Sequence, residues 1–172
     1  TVYQPRIQPN DILDVFVMST SPEASKYFNY TTDMNANSEL SGYLVNKKGE
    51  IDLPIVGAVN IMGLTSNVAR DTVAKRLSKY LINPSVKLTI RNFRVTILGE
   101  IMHPGVFTVP NEKMTLPEAL ALAGDFTMFS ERYNVEIIRD SLNFKVYGEV
   151  NLNNREIFTS YYYNLHANDI LY

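Results

Sequence analysis

Few residues of this chain could perform chemistry, and none of them has a catalytic spacing. The two histidines, His103 and His166, lack the neighbouring His or carboxylate residues that a metal site needs. Cysteine is absent, which excludes disulfides, thiolate metal sites and a cysteine nucleophile. We therefore expect turn or surface histidines and a chain that holds no metal and no cofactor.

Paired carboxylates are the remaining catalytic candidates, because two of them can hydrolyse a glycoside. Asp11 with Asp14 and Glu50 with Asp52 are such pairs. Each pair lies in a turn and strand context without any feature that would raise a pKa. Nucleophile-elbow, Walker and dinucleotide-binding patterns are also missing. We expect structural roles for these carboxylates and no enzymatic activity.

Aromatic clusters offer a different chemistry, since a ring can stack on the apolar face of a sugar. One cluster, Tyr27, Phe28 and Tyr30, lies in a polar stretch with no obvious core to enter, so both a contact role and a structural role stay open. In the other, at residues 161–163, Tyr161 and Tyr163 are the contact candidates, although a strand with two rings out and one in is the ordinary interpretation.

Charge and composition limit the classes of partner that this chain could bind. The 172 residues carry 16 basic and 18 acidic side chains, so no net positive field attracts nucleic acid. The basic residues Arg70, Lys75, Arg76 and Lys79 are expected to form the solvated side of a helix. A hydrophobic content of 45% suffices for a packed core. No apolar run approaches the ~20 residues that span a bilayer.

One phrase occurs near both ends of the chain, as IQPNDILDV at 7–15 and as LHANDILY at 165–172. Asn and Asp tolerate left-handed and Asx-turn geometry better than other non-glycine residues. The phrase therefore predicts two tight turns, formed by Asn10-Asp11 and Asn168-Asp169, each leading into a strand. We expect the second strand to be truncated, because the chain stops at Tyr172.

The first half of the chain predicts strands and one long helix. We expect a strand at 11–17 with both faces partly covered, followed by a loop at 20–41 that could contain a short helix. A hairpin at 42–54 is expected to turn at Gly49, and a further strand should follow near 58–61. A helix is expected to begin at Thr65 or Ser66 and to end at Asn83-Pro84. A change of alternation follows: Val86, Leu88 and Ile90 are even-numbered, whereas Phe93, Val95 and Ile97 are odd-numbered. We place the boundary between two domains, 1–92 and 93–172, near Asn92.

The second half predicts a β-grasp order of hairpin, helix and strands. Pro104-Gly105 suits the central positions of a type II turn between strands at 93–100 and 106–109. Thr115 and Glu118 have capping-box spacing for a helix over 116–123, and Gly124 suits its C-terminal end. Strands are expected at 135–139 and 144–150. The fold class is α+β in two small domains, an N-terminal α/β domain and a C-terminal β-grasp domain.

Taken together, these stretches resemble the outer-membrane polysaccharide export proteins of the Wza type. The resemblance rests on five segments: IQPNDILDV, GYLVNKKGEIDLPIVGAVNIMGLT, NPSVKLTIRNFRVTILGEIMHPGVFTVP, TLPEALALAGDFT and LHANDILY. Residues 1–92 are similar to the polysaccharide export domain and residues 93–172 to an SLBB domain, a β-grasp module. The family commonly has Pro-Gly-Asp at the two turns, where this chain has Asn10 and Asn168 in place of a positive-φ glycine.

The resemblance implies the periplasmic part of a ring-forming subunit through which capsule or exopolysaccharide leaves a Gram-negative cell. The implied partners are other copies of the chain, the exported polysaccharide, the inner-membrane co-polymerase machinery and the outer membrane. The membrane would be reached through a lipidated Cys and a C-terminal segment that lie outside these residues. The alternative is a periplasmic glycan-binding or adaptor module without a pore; a lipobox Cys upstream and a membrane segment after Tyr172 would favour export.

Overall fold

A computed structural model describes residues 3–29, 42–141 and 144–172. The described chain divides into two compact units. The N-terminal unit comprises Gln4–Asn92, and the C-terminal unit comprises Phe93–Tyr172 together with Tyr3. Both units combine strands with helix, so the α+β class expected from the sequence is confirmed.

The N-terminal unit contains a three-stranded antiparallel sheet of order β2-β1-β5 and a separate pair of strands, β3 and β4. Its elements are β1 (Ile12–Met18), α1 (Pro22–Lys26), β2 (Tyr43–Leu44), β3 (Glu50–Leu53), β4 (Gly57–Asn60), α2 (Ser66–Leu77) and β5 (Ser85–Ile90). The Thr65 hydroxyl caps α2, which packs against β5 and buries Ala69, Val73 and Leu77. The short helix α1 lies in the segment 20–41, where the sequence predicts a loop that could contain a short helix.

The central strand β1 buries one face only. Leu13, Val15 and Val17 are buried, whereas Phe16 is exposed. The expectation that both faces are partly covered holds for Ile12, which is half-buried, but not for Phe16. An antiparallel sheet is stable with one covered face, so an apolar residue such as Phe16 on the other face does not indicate a second core.

The turn at Gly49 forms, but it does not join paired strands. Gly49 has φ +78° and donates its N–H to the Asn46 carbonyl at 2.9 Å, and an added Cβ there would overlap with Met62. The expected hairpin is nevertheless wrong, because β2 pairs with β1 and β3 pairs with β4. Val45 explains the difference: it exchanges two backbone hydrogen bonds with Asn10 and Asp11, which commits this segment to β1.

The C-terminal unit is a five-stranded mixed sheet of order β7-β6-β10-β8-β9 with one α-helix among its described residues. Its elements are β6 (Arg94–Ile97), β7 (Gly105–Thr108), α3 (Leu116–Leu122), β8 (Val135–Ser141), β9 (Phe144–Val150) and β10 (Ile170–Leu171), with 3₁₀ turns at Pro110–Glu112 and Arg155–Thr159. The last strand, β10, lies in the middle, parallel to β6 and antiparallel to β8.

The change of alternation at Asn92 lies where the chain leaves β5 in one sheet and enters β6 in the other. The side chain of Asn92 stays with the N-terminal unit. Its Oδ1 accepts the Ile12 N–H at 2.8 Å, and its Nδ2 donates to the Asn10 carbonyl at 3.2 Å. Asn92 thus ties the end of β5 to the start of β1.

The connection between β6 and β7 differs from the expected type II turn. Gly105 does not have a positive φ; it begins β7 opposite Ile97, and Gly99 has φ +87° instead. The prediction fails because residues 98–104 form a longer loop that is tied to the end of α3. In that loop the Met102 N–H bonds the Asp125 carbonyl, and the His103 N–H bonds the Ala123 carbonyl.

Helix α3 begins with a capping box. The Glu118 Oε2 accepts the Thr115 N–H at 2.8 Å, and the Thr115 hydroxyl oxygen accepts the Glu118 N–H at 3.4 Å. The Thr115 backbone and hydroxyl contacts lower the pKa of Glu118. Gly124 follows the helix with φ +84°, and an added Cβ would lie 2.6 Å from Nδ1 of His103.

Candidate functional site

The first Asn-Asp turn leads into β1. Asn10 has φ +72°, and the Asp11 carboxylate accepts the Gln8 N–H at 2.8 Å while the Asp11 N–H returns to the Gln8 carbonyl at 3.2 Å. The side chain therefore closes the turn that the left-handed residue opens.

The second turn repeats this geometry before β10. Asn168 has φ +66°, the Asp169 carboxylate accepts the His166 N–H at 2.7 Å, and the Asp169 N–H bonds the His166 carbonyl at 3.2 Å. Each turn thus positions the strand that follows it in a defined register of its sheet. One of the two turns lies in each unit. The repeated phrase in the sequence corresponds to a repeated structural device.

Asp169 also forms a buried ion pair. It is 0% exposed, and its partner Arg139 on β8 is 2% exposed. The Arg139 Nε donates to Asp169 Oδ1 at 2.9 Å, and its Nη2 donates to Oδ2 at 2.6 Å. The guanidinium also donates to the carbonyls of Asn164 at 3.0 Å and Tyr161 at 3.4 Å. Each of these guanidinium donors therefore has its hydrogen-bond partner within the chain.

Sequence reasoning missed Arg139, although a signal was present. In β8 the buried positions alternate as Val135, Ile137 and Arg139, so the arginine occupies an inward-facing position. A buried arginine requires an anionic partner. The partner, Asp169, lies in the turn just before β10, and the 3₁₀ turn and the tyrosine-rich stretch separate this turn from β9 in the chain.

The hydrogen bonds of the pair are those of a carboxylate with a guanidinium. Burial raises the pKa of Asp169, while the Arg139 guanidinium and the His166 N–H act in the opposite direction. Asp169 only accepts hydrogen bonds from these groups, as an ionised carboxylate does. This arrangement indicates a structural role for the ion pair rather than a role as a proton donor.

A layer of rings covers this ion pair. The Arg139 guanidinium carbon lies 4.8 Å from the Tyr161 ring centroid and 5.3 Å from that of Tyr162. His166 stacks on Tyr3 with 3.9 Å between centroids and 9° between planes. Tyr161 is 67% exposed, so an aromatic face over a buried cation is presented to solvent.

His166 is neutral at physiological pH. Burial, followed by the nearby Arg139 cation, lowers the pKa of His166 to about 4. An imidazole with that pKa stays unprotonated at neutral pH, so it is poorly suited to acid catalysis there. In the part of the chain that the structure describes, no three His or carboxylate side chains are grouped closely enough to hold a metal ion.

The two carboxylate pairs considered as glycosidase candidates lie in different surroundings. Asp11 closes the first turn, and Asp14 forms an ion pair with Arg91 at 3.3 Å. Glu50 and Asp52 project from β3 next to β4, and Asp52 is exposed. Among the described residues, neither pair is grouped with a histidine or a third carboxylate closely enough to hold a metal ion.

The aromatic cluster of the N-terminal unit separates into different environments. Tyr27, at the end of α1, is 71% exposed and available for contacts. Phe28 is 1% exposed, so its candidacy as a glycan or subunit contact is wrong: the ring enters the core, and its carbonyl accepts the Tyr43 hydroxyl at 2.7 Å. Tyr30 lies outside the described residues.

The tyrosines at 161–163 are not in a strand, contrary to the ordinary interpretation of this stretch. They follow the 3₁₀ turn Arg155–Thr159 and lie in turns. Tyr162 lies across Gly148 of β9, where an added Cβ would overlap with its ring. Tyr163 is half-buried, and its ring centroid lies 5.7 Å from that of Phe158. Of the two tyrosines expected to make contacts, Tyr161 is the more accessible.

Comparisons with known proteins agree on one family. A sequence model described as "Polysaccharide biosynthesis/export protein" matches residues 1–91, and a model described as "SLBB domain" matches residues 94–150. The EPS I polysaccharide export outer membrane protein EpsA of Ralstonia nicotianae is 30% identical over 129 residues, which are 69% of this chain and 34% of that protein. The protein of the same name from Ralstonia solanacearum is 33% identical over 86 residues, 48% of this chain and 23% of its own.

The chain thus spans about a third or less of the length of these curated relatives. Within residues 3–29, 42–141 and 144–172, every helix is shorter or more polar than a bilayer-spanning helix must be.

Proposed function

Because the chain belongs to the polysaccharide biosynthesis/export protein family, we propose that it is the periplasmic part of an outer-membrane polysaccharide export subunit. The observation that carries this proposal is the match over residues 1–91, followed at once by an SLBB domain. Both relatives are named as polysaccharide export outer membrane proteins. The cargo is a capsule or exopolysaccharide, and the chain acts without catalysis.

The arrangement of the described residues supports a scaffolding role. The buried pair Arg139 and Asp169 bind each other and the backbone, and His166 is neutral. A subunit that guides a polymer needs stable folded modules and accessible contact surfaces rather than a reactive centre. Tyr27 and Tyr161 provide exposed rings for such contacts, one in each unit.

The two domains of the subunit follow one another along the chain. Residues 1–92 are the export domain and residues 93–172 the SLBB domain of the subunit. The partners are other copies of the chain in a ring, the polysaccharide, the inner-membrane co-polymerase machinery and the outer membrane.

Deletion of the gene in the bacterium that carries it tests the proposal. Polysaccharide in the medium should fall to background while its synthesis genes remain intact, and the full-length gene should restore secretion. A full-length gene with Glu50→Gln and Asp52→Asn should restore it equally well, because these carboxylates perform no catalysis. Unchanged secretion after deletion would contradict the export function, and failure of the double variant would contradict the absence of catalysis.

A second candidate function is a periplasmic glycan-binding or adaptor module that forms no pore. The exposed Tyr161 ring above Arg139 favours it, since aromatic faces bind sugars without requiring a ring of subunits. Electron microscopy of the full-length protein extracted in detergent distinguishes the two. Closed rings with a central opening support export, whereas single particles that still bind the polysaccharide support the adaptor.

A further inference from the structure

A cavity of about 400 Å³ lies beside α3 in the C-terminal unit, apart from the ring-covered ion pair. This volume falls in the range of small-molecule sites, about 300–1,000 Å³. We call it the α3 pocket. It lies between α3 with the residues that follow it and the segment around the 3₁₀ turn Arg155–Thr159. Its lining residues include Leu120, Phe126, Arg132, Leu152, Arg155 and Phe158.

Apolar side chains form much of the lining of the α3 pocket. Leu120 and Ile157 are buried, and Phe126 and Phe158 add aromatic surface. Phe158 is exposed, although its ring is large and apolar. An open pocket with aromatic sides suits a ligand with an apolar face and a polar rim, as a pyranose ring has.

The charged residues of the pocket select the kind of ligand. Arg132, Arg155 and Asp125 line it, which leaves one net positive charge in a chain of net charge −2. The Arg132 guanidinium lies 5.4 Å from the Phe126 ring centroid and 3.8 Å from Asp125, a loose ion pair. Among the described residues no ion pair involves Arg155. Two guanidinium groups beside an aromatic wall fit a carboxylate.

Hydrogen bonds within the chain connect the two sides of the pocket and cap its 3₁₀ turn. The Leu152 N–H donates to the Arg132 carbonyl at 3.0 Å and joins the two sides. The Asn154 Oδ1 accepts the Glu156 N–H at 3.1 Å and caps the 3₁₀ turn that carries Arg155. A preformed site loses less conformational freedom on binding, which favours affinity.

We propose that the α3 pocket binds an anionic glycosyl unit, a pyranose that carries a carboxylate. The sugar ring lies against Phe126 and Phe158, the carboxylate meets Arg132 and Arg155, and Asp125 accepts hydrogen bonds from the sugar hydroxyl groups. This inference rests on the proposed function, since it makes the exported polymer an acidic polysaccharide that contacts the SLBB domain. The pocket is a subsite for the cargo.

The test is a nuclear magnetic resonance titration of the ¹⁵N-labelled 172-residue chain with sodium glucuronate, with glucose as the neutral sugar and sodium acetate as the anion without a sugar. Glucuronate should shift the amide resonances of residues that line the α3 pocket, and more strongly than either control. An equal response to glucose or to acetate, or no response at the pocket, would overturn the proposal.

The matched variants are Arg155→Gln and Arg76→Gln. Both arginines are exposed, and Arg76 lies on α2 in the other unit. R155Q should weaken glucuronate binding about tenfold, as loss of a charge-assisted hydrogen bond does, whereas R76Q should leave it unchanged. Equal affinities of R155Q and the parent chain would refute the site. Export itself is judged separately by gene deletion, so a chain that fails to bind glucuronate leaves that function standing.

Discussion

Arg139 and Asp169 illustrate how a buried charge is tolerated in this protein. Removing two charges from water is costly, and the cost is recovered only where each remaining donor and acceptor has a partner. Here the carboxylate receives the guanidinium and the His166 N–H, and the guanidinium reaches two further carbonyl groups. The pair also joins β8 to the turn before β10, so it connects two segments that are distant in the chain.

Replacement of Arg139 by Met should therefore destabilise the C-terminal unit strongly. The variant leaves the Asp169 carboxylate buried without its cation, which costs about 3–5 kcal/mol. Urea unfolding followed at resonances of β8 measures the change. The double variant Arg139→Met with Asp169→Asn should recover part of the loss, because no buried charge remains uncompensated. Equal stability of R139M and the parent chain would contradict the role of the pair.

His166 should make stability depend on pH. The pKa of His166 is lowered from 6.5 to about 4 in the folded chain, so the unfolded chain binds more protons between these values. The contribution of neutral His166 to the free energy of unfolding is full above pH 6.5. It is lost as the pH falls towards 4. Comparison of unfolding midpoints across this window measures it.

The variants His166→Phe and His166→Gln should both show a smaller loss of stability than the parent chain as the pH falls from 6.5. Neither side chain titrates there, but Phe retains an aromatic ring against Tyr3. Parallel pH profiles for all three chains would show that His166 does not contribute to the slope.

At the scale of elements, Gly148 in β9 determines how the tyrosine-rich turn packs. A Cβ at this position would overlap with the ring of Tyr162, which also lies over Arg139. A glycine in a strand often marks such a close approach. The ring of Tyr162 therefore contacts both β9 and the buried ion pair, and it connects them to the tyrosine-rich turn.

The substitution Gly148→Ala should cost about 1–3 kcal/mol, because the ring or the strand must shift. Thermal unfolding followed by near-ultraviolet circular dichroism of the tyrosines measures this loss. Gly105→Ala is the matched control: no atom lies within 4 Å of its added Cβ and its φ is not positive, so stability should change little. Equal effects of the two substitutions would argue against the packing of Tyr162 on β9.

At the scale of the whole molecule, assembly should depend on more than these 172 residues. One relative is about three times and the other about four times the length of the segment that matches it. Attachment to a membrane raises the effective concentration of subunits and strengthens weak contacts. We therefore expect the 172-residue chain to be mostly monomeric and the full-length protein to form rings.

Light scattering at micromolar concentration measures the masses of both proteins, the full-length one extracted in detergent. A stable closed ring formed by the 172-residue chain alone would contradict this expectation. A full-length protein that stays monomeric would instead weaken the export proposal. The exposed Tyr27 and the edge strand β9 are the surfaces to probe by cross-linking.

The sequence alone determined the local features of this protein. The Asn-Asp turns, the capping box at Thr115 and the helix from Thr65 were predicted because each depends on the conformation of a few adjacent residues. The alternation of buried residues along β5 and β6 was predicted for the same reason. The family followed from these motifs taken together.

The tertiary structure alone decided which elements meet. It placed β10 between β6 and β8, gave β3 the partner β4 instead of β2, and buried Phe28 in the core. It also brought Arg139 to Asp169 and left the Gly105 backbone outside left-handed geometry. These outcomes depend on contacts between residues far apart in the chain, where several partners satisfy the same local pattern and only the packing of the whole unit selects one.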